Sequence, residues 1–167
     1  MDSTPQDENA ALCLLLRAPG VGSRTLEPLL TRAGSARALI DAPPPEAPAG
    51  LRQYLRSPDW SRVESDLEWL ERPDRQLLRP GDPAWSARFS QIVDPPLALF
   101  AQGDPELLGL PALAIVGSRT PSSSGRRTAH AFAAHLAQRG LVIASGLASG
   151  IDAAAHQGAL SVRGLTL

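Results

Sequence analysis

Two short segments concentrate the residues that could do chemistry. They are Val116-Gly117-Ser118-Arg119-Thr120-Pro121-Ser122-Ser123-Ser124-Gly125 and Ser145-Gly146-Leu147-Ala148-Ser149-Gly150-Ile151-Asp152. In the first, Gly117 lets the backbone turn and come close to a ligand. Ser118 brings a hydroxyl and a backbone N–H. Arg119 brings a planar fork of donors that matches phosphate oxygens. A helix that starts after this loop adds free N–H groups and the positive end of its dipole. Arg126 and Arg127 fall at the start of that helix, where positive charge opposes the dipole, and a bound anion relieves the opposition. In the second segment Gly146 and Gly150 permit close approach, and Ser145 and Ser149 supply donors. The chemistry on offer is anion binding, with Gly117, Ser118, Arg119, Arg126, Arg127, Ser145, Gly146, Ser149 and Gly150 as the candidate contacts.

Catalysis and metal binding have little to stand on. Asp152 is the one acid in residues 112–167. Its position suits a helix cap, and a lone carboxylate without a second acid, a base or a metal makes a poor catalyst. No catalytic residue is therefore assigned. Cys13 is the single cysteine, so no internal disulfide forms. His130 and His135 are five apart, which does not place them on one helix face for a shared metal, and His156 reads as structural. No metal site and no cofactor is expected. Neither glycine segment is a G-x-G-x-x-G dinucleotide fingerprint or a Walker A loop. On residue chemistry alone, a nucleotide-binding enzyme and a nucleic-acid binder both remain open.

Charge separates the two parts of the chain. The net charge of the 167 residues is −1, and every basic side chain apart from histidine is arginine. Residues 1–111 hold 11 Arg against 16 acids, whereas residues 112–167 hold 5 Arg against one acid. The last third is thus the part suited to an anionic partner.

The elements that must position these loops follow from periodicity. Residues 9–16 predict an apolar helix, broken by Ala18-Pro19-Gly20-Val21-Gly22. Ser23 caps a second helix with Leu26, Leu29, Leu30 and Ala33 on one face, and Gly34 ends it. Ser35 caps a short helix to Ile40, a proline-rich connector spans 41–50, and Leu51–Arg56 is helical. Asp59 caps a helix with Val63, Leu67 and Leu70 at helical spacing, stopped by Pro73. Trp60, Trp69 and Trp85 are expected in packing roles, away from the glycine loops.

Strand signals begin after residue 75, with Gln76–Leu78 and Leu97–Ala101 on either side of a Pro80–Pro83 turn. Leu113–Val116 and Leu141–Ala144 are continuous apolar runs, the pattern of parallel strands buried on both faces. Between them Gly125–Arg139 predicts a helix with Ala129, Phe132, Ala133 and Leu136 inward, ended by Gly140. Asp152–Leu160 follows, and Gly164–Leu167 reads as the entry to a third strand. This order is a parallel βαβ arrangement. Its stop at the third strand reads as truncation. With 43% apolar residues a packed core is expected. No run is apolar enough to span a membrane, and the acidic, polar order Met1–Glu8 is not that of a secretory signal, so a cytoplasmic protein is expected.

Ala114-Ile115-Val116-Gly117-Ser118-Arg119, followed by Leu141-Val142-Ile143-Ala144-Ser145-Gly146-Leu147-Ala148-Ser149-Gly150-Ile151-Asp152-Ala153-Ala154-Ala155-His156, resembles the DprA/Smf family of DNA-processing proteins. Gly81-Asp82-Pro83-Ala84-Trp85 and Asp94–Gly103 are similar to that family's entry into its Rossmann-like domain. The resemblance implies an α/β fold, with a small all-α, SAM-like or helix-hairpin-helix domain over residues 1–75. A truncated Rossmann-like parallel sheet over 76–167 follows it. It implies a non-enzymatic, single-stranded DNA-binding protein of natural transformation that protects incoming DNA, loads the RecA recombinase and acts as a homodimer. It places the recombinase and dimer surfaces in the part of the domain beyond Leu167, and it puts the DNA backbone at Gly117, Ser118 and Arg119. The chain departs from the family at Ser149, where Arg is usual, and near Trp85-Ser86, where a Tyr-Pro pair is usual. A Rossmann-like nucleotide-binding hydrolase and a protein-interaction module acting through the acidic helical domain stand as alternatives. The hairpin Ala18–Gly22 is assigned to packing or protein contact.

Overall fold

The computed structural model describes residues 5–167, so the Met1–Thr4 opening lies outside the described residues. Five helices come first: α1 (Pro5–Leu16), α2 (Ser23–Ala33), α3 (Ala36–Asp41), α4 (Ala49–Arg56) and α5 (Trp60–Leu70). Each supplies apolar residues to one core. Leu14, Leu15, Leu26, Leu39, Leu51 and Val63 are all fully buried there. Burying each such side chain contributes roughly 1.5–3 kcal/mol. Helix ends follow local chemistry. Gly34 closes α2 in the left-handed conformation, with its N–H donating to Leu30 O at 2.8 Å. Ser35 Oγ accepts from Ala38 N at 3.0 Å and caps α3. The Glu8 carboxylate caps the same helix from a distance in sequence, accepting from Ala36 N at 2.6 Å and Arg37 N at 3.1 Å.

Two expected caps differ. Gly22 holds the N-cap position of α2, and Ser23, already helical, donates its hydroxyl to the Asp94 carboxylate. Asp59 does precede α5, but its carboxylate accepts from Ser61 Oγ at 2.6 Å and pairs with Arg62 at 3.3 Å rather than capping by side chain. A bidentate pair, Arg17 to Asp66 with both contacts at 2.6 Å, ties the end of α1 to α5.

An antiparallel pair follows, β1 (Arg75–Leu78) and β2 (Leu99–Gln102), with Leu77 opposite Phe100. The chain forms two compact units, residues 1–103 and 104–167. The β1–β2 pair therefore goes with the helices, although periodicity changes near residue 75. The reason is packing: Leu77 joins the helical core, with Leu97 and Ala98 against it. Trp69 of α5 also meets Phe100 edge-on at 5.7 Å, with the Arg75 guanidinium 4.6 Å over its ring. Trp85 packs on Phe89 at 5.0 Å. Trp60, expected in packing, is 43% exposed at the start of α5.

The second unit contains β3 (Ala112–Ala114), α6 (Ser123–Ala137), β4 (Val142–Ala144) and α7 (Ile151–Ser161). β3 and β4 are parallel, and Thr166 bridges in parallel to Ile143 on the other edge of β4. The α/β order is the one expected, and β4 is central. Val142 and Ile143 are fully buried, as predicted for that run.

The other apolar run is not buried on both faces. β3 is exposed along its length, Leu113 is 40% exposed and Val116 71%. Among the described residues β3 has one strand neighbour, and α6 and α7 pack over β4 instead.

Helix α6 also differs from the pattern. Ala129, Ala133 and Ala137 face inward as a small-residue seam, whereas Phe132 is 62% exposed. α7 supplies Ala155, Gly158 and Ala159 opposite the seam, and a Cβ on Gly158 would lie 2.3 Å from His130 O. Backbones this close leave no room for a phenyl ring, so the buried face rotates away from Phe132. His156 Nδ1 lies 2.7 Å from Thr166 Oγ1, and that hydroxyl donates to Ile143 O at 2.6 Å. The hydroxyl's one proton is thus used, so Nδ1 is the donor of the pair. His156 pins the third strand segment, in keeping with a structural role.

No described helix is long and apolar enough to cross a membrane, and no described cluster of His, Cys, Asp and Glu could hold a metal. Cys13 is free and fully buried in α1. Burial, followed by the Asp66 charge, pushes its thiol from 9.0 up to about 11. A raised acid favours the protonated form in the fold. Its contribution to stability is complete below pH 9 and is lost as pH rises towards 11. We expect native Cys13 to resist a thiol-labelling reagent at neutral pH and to react once the chain is unfolded by denaturant. Thermal melts should also show a loss on the order of 2 kcal/mol between pH 8.5 and 11 that is smaller in Cys13→Ala. Rapid native labelling at neutral pH contradicts both.

Candidate nucleic-acid interface

The two glycine-rich segments lie at the carboxyl ends of neighbouring parallel strands, where open α/β sheets bind ligands. Strand order alone would bring them near each other, and their backbones go further and interlock. Ile151 N–H donates to Ser118 O at 3.1 Å. Ser149 Oγ reaches Arg119 O at 3.5 Å. Ser145 Oγ donates to Ile115 O at 2.6 Å, tying the ends of β3 and β4. Gly150 is buried with φ +91, and a Cβ there would lie 2.3 Å from Ser118 O and 2.8 Å from Arg119 Cα. Gly117 permits close approach rather than unusual dihedrals, since its Cβ would sit 2.9 Å from Ile151 Cγ1.

This packing sorts the candidate residues. Gly117, Ser118, Arg119, Gly146 and Ser149 are exposed on the joined loops, Ser145 is half-buried, and Gly150 is buried. The hydroxyl donors are partly engaged. Ser145 donates to Ile115 O, and Ser118 Oγ accepts from Thr120 N at 3.1 Å, which shapes the turn after Arg119. The Arg119 guanidinium has no acid partner among the described residues. Ser122 caps α6: its Oγ accepts from Gly125 N at 3.1 Å, and the helix begins at Ser123, two residues before the predicted start. Arg126 and Arg127 are exposed on α6 and line a separate groove between α6 and α7.

Asp152 differs from its predicted role. Gly150 holds the N-cap position of α7, and Asp152 sits within the first turn, 5% exposed. Its Oδ2 accepts from Gly146 N at 3.1 Å, so the carboxylate shapes the second loop from inside. The other oxygen, Oδ1, is buried and makes no hydrogen bond among the described residues. The loop's Leu147 escaped the sequence reading. It is 83% exposed with φ +57, a left-handed conformation rare for leucine. No composition signal marks it.

Comparison with known proteins comes down on the same segments. The sequence profile of the family described as DNA recombination-mediator protein A matches residues 76–167. Protein Smf of Escherichia coli (strain K12) is 40% identical over 119 residues, covering 70% of this chain and 32% of that protein. DNA processing protein DprA of Bacillus subtilis (strain 168) is 38% identical over 86 residues, covering 51% of this chain and 28% of that protein. The X-ray structure of DNA processing protein A (DprA) from Streptococcus pneumoniae matches with a TM-score of 0.69 at 26% identity, covering 99% of this chain and 57% of that one. The chain thus spans about a third of the length of these curated relatives.

The Gly150 contact yields a direct test. Gly150→Ala combines a strained left-handed residue with a clash against Ser118 and should destabilise the second unit by about 2–4 kcal/mol, read by denaturant melts. Gly109→Ala, whose Cβ meets open space, should change stability by less than about 1 kcal/mol. Equal effects would contradict the interlocked-loop account.

Proposed function

This chain belongs to the DNA recombination-mediator protein A family, and on that premise we propose that it is a DNA-processing protein that binds single-stranded DNA without catalysing a reaction on it. The observation that carries the reading is the pair of interlocked, exposed loops at the ends of β3 and β4, with an Arg119 that has no acid partner among the described residues. Around them, residues 112–167 hold 5 Arg and one acid, and that acid is enclosed. A phosphodiester backbone suits such a surface. It offers repeated negative oxygens to Arg119 and to backbone N–H groups, and it needs no general acid or base.

The further roles belong to the same proposal: protecting the strand, loading a RecA-type recombinase, pairing as a homodimer and acting in the cytoplasm during natural transformation. Family membership supports them, and so do names that call relatives DNA processing proteins. Ser149 stands where the family usually carries arginine. The proposal therefore assigns the second loop a shaping role, through its contact with Arg119 O, more than a charge role.

Fluorescence anisotropy with a labelled oligothymidylate and the full chain tests it. The logarithm of the affinity should fall linearly with log salt. Arg119→Ala should weaken binding about tenfold and make the log–log salt slope shallower by about 0.7, the expectation for one lost contact to a single strand. Arg139, at the far end of α6 and bonded to His135, is the control: Arg139→Ala should change affinity by less than about twofold. Equal and negligible effects of both substitutions would sink the proposal.

A further inference from the structure

We infer that the groove between α6 and α7 is a second phosphate-binding subsite, one that takes the next stretch of the strand held at the loops. The inference rests on the single-stranded DNA reading above and adds a location which that reading does not contain. The groove is lined by Arg126, Arg127, His130 and Ala131 from α6 and by Ala154 and Gln157 from α7, and encloses about 440 Å³. Both arginines are exposed, and neither forms an ion pair with a described residue.

Physical chemistry disfavours this arrangement in the absence of an anion. Arg126 and Arg127 lie at the fourth and fifth positions of α6, close to the positive end of its dipole. They are adjacent like charges, and His130 is one turn further on. The nearest acid along either helix, Asp152, is enclosed and turned to Gly146. A bound anion would offset the repulsion between the two arginines. Gln157 adds an amide that can donate to an oxygen, and the exposed Ala131 offers a small apolar surface beside it, with Ala154 buried beneath.

Position links the groove to the loops. The hypothetical Cβ atoms of Gly117 and Gly125 both approach Ile151, so the first loop, the start of α6 and the start of α7 meet at one residue. Arg126 directly follows Gly125, and Ala154 lies three residues after Ile151. The groove therefore opens about one helical turn, ~5 Å, from the loop junction. Successive charges on one stacked strand advance ~3.4 Å along its axis, so a strand leaving the loops reaches the groove within one or two phosphates.

The test uses strand length to separate the two sites. Two labelled thymidylate strands are used: a dinucleotide, whose lone phosphodiester cannot occupy the loops and the groove together, and one of about 16 nucleotides, the upper end of what single modules cover. The double substitution Arg126→Ala/Arg127→Ala should weaken binding of the long strand at least tenfold and flatten its log–log salt slope by about 1.4, as for two lost phosphates. It should change affinity for the short strand by less than about twofold, whereas Arg119→Ala weakens both. A loss of equal proportion for both lengths, or no loss for either while Arg119→Ala still weakens binding, overturns the groove and leaves the loop site standing. A probe without DNA keeps the two proposals apart. Inorganic tripolyphosphate should shift the backbone amide resonances of residues 126–131 and 154–157 in the unmodified chain but not in the double variant. Absence of those shifts overturns the subsite whatever DNA does, and their presence upholds it as an anion site even if the loops bind no DNA.

Discussion

The second unit depends on one close approach: the Gly150 backbone lies where any side chain would collide with Ser118 O. Because Gly150 has no Cβ, Ile151 N–H reaches Ser118 O, and the first loop is held against the start of α7. Because Gly117 also lacks one, Ile151 can fill the space beneath that loop. Asp152, next along the helix, then takes Gly146 N–H and folds the second loop over the same point. Four consecutive tasks thus fall to Ser149, Gly150, Ile151 and Asp152. The exposed part of the site, with Arg119 foremost, is presented by a scaffold that has little freedom to move. Rigid presentation matters for anion contact, since a donor held in place loses less conformational entropy on binding.

Much of this was legible in the sequence, and what failed did so for identifiable reasons. Glycine and serine punctuation located the end of α2, the cap of α3, both loops and the turn after α6, because these depend on a few adjacent residues. The run Leu141–Ala144 read correctly as a buried strand. The identical-looking run Leu113–Val116 did not, because burial of a strand depends on what lies beside and above it. Phe132 reads inward because it falls at helical spacing with Ala129, Ala133 and Leu136. The packing instead selected the alanine stripe, which only the partner helix, with Gly158 and Ala155, makes preferable. Ser23 and Asp152 both have the side chains of helix caps. Each found a stronger partner elsewhere, Asp94 in one case and Gly146 N–H in the other.

The candidate site shows the same division. Residue types and spacing sufficed to nominate Gly117, Ser118 and Arg119 as an anion site, since their chemistry is local. They could not tell that Ser145 Oγ is committed to Ile115 O, or that Gly150 is enclosed, because both facts arise from the neighbouring strand and loop. Nor could they separate Arg126 and Arg127 from the loops. Helical geometry turns those two side chains towards α7, where His130 and Gln157 join them.

The alanine and glycine seam between α6 and α7 has one more consequence. It sets the distance between the helices through backbone contact, and the groove beside it is lined by Ala131 and Ala154 together with the long side chains. The long side chains stand only on the rim. A rim of this kind can be exchanged residue by residue without disturbing what lies beneath. Substitution on that rim therefore changes the charge this face presents while the helix pair keeps its shape.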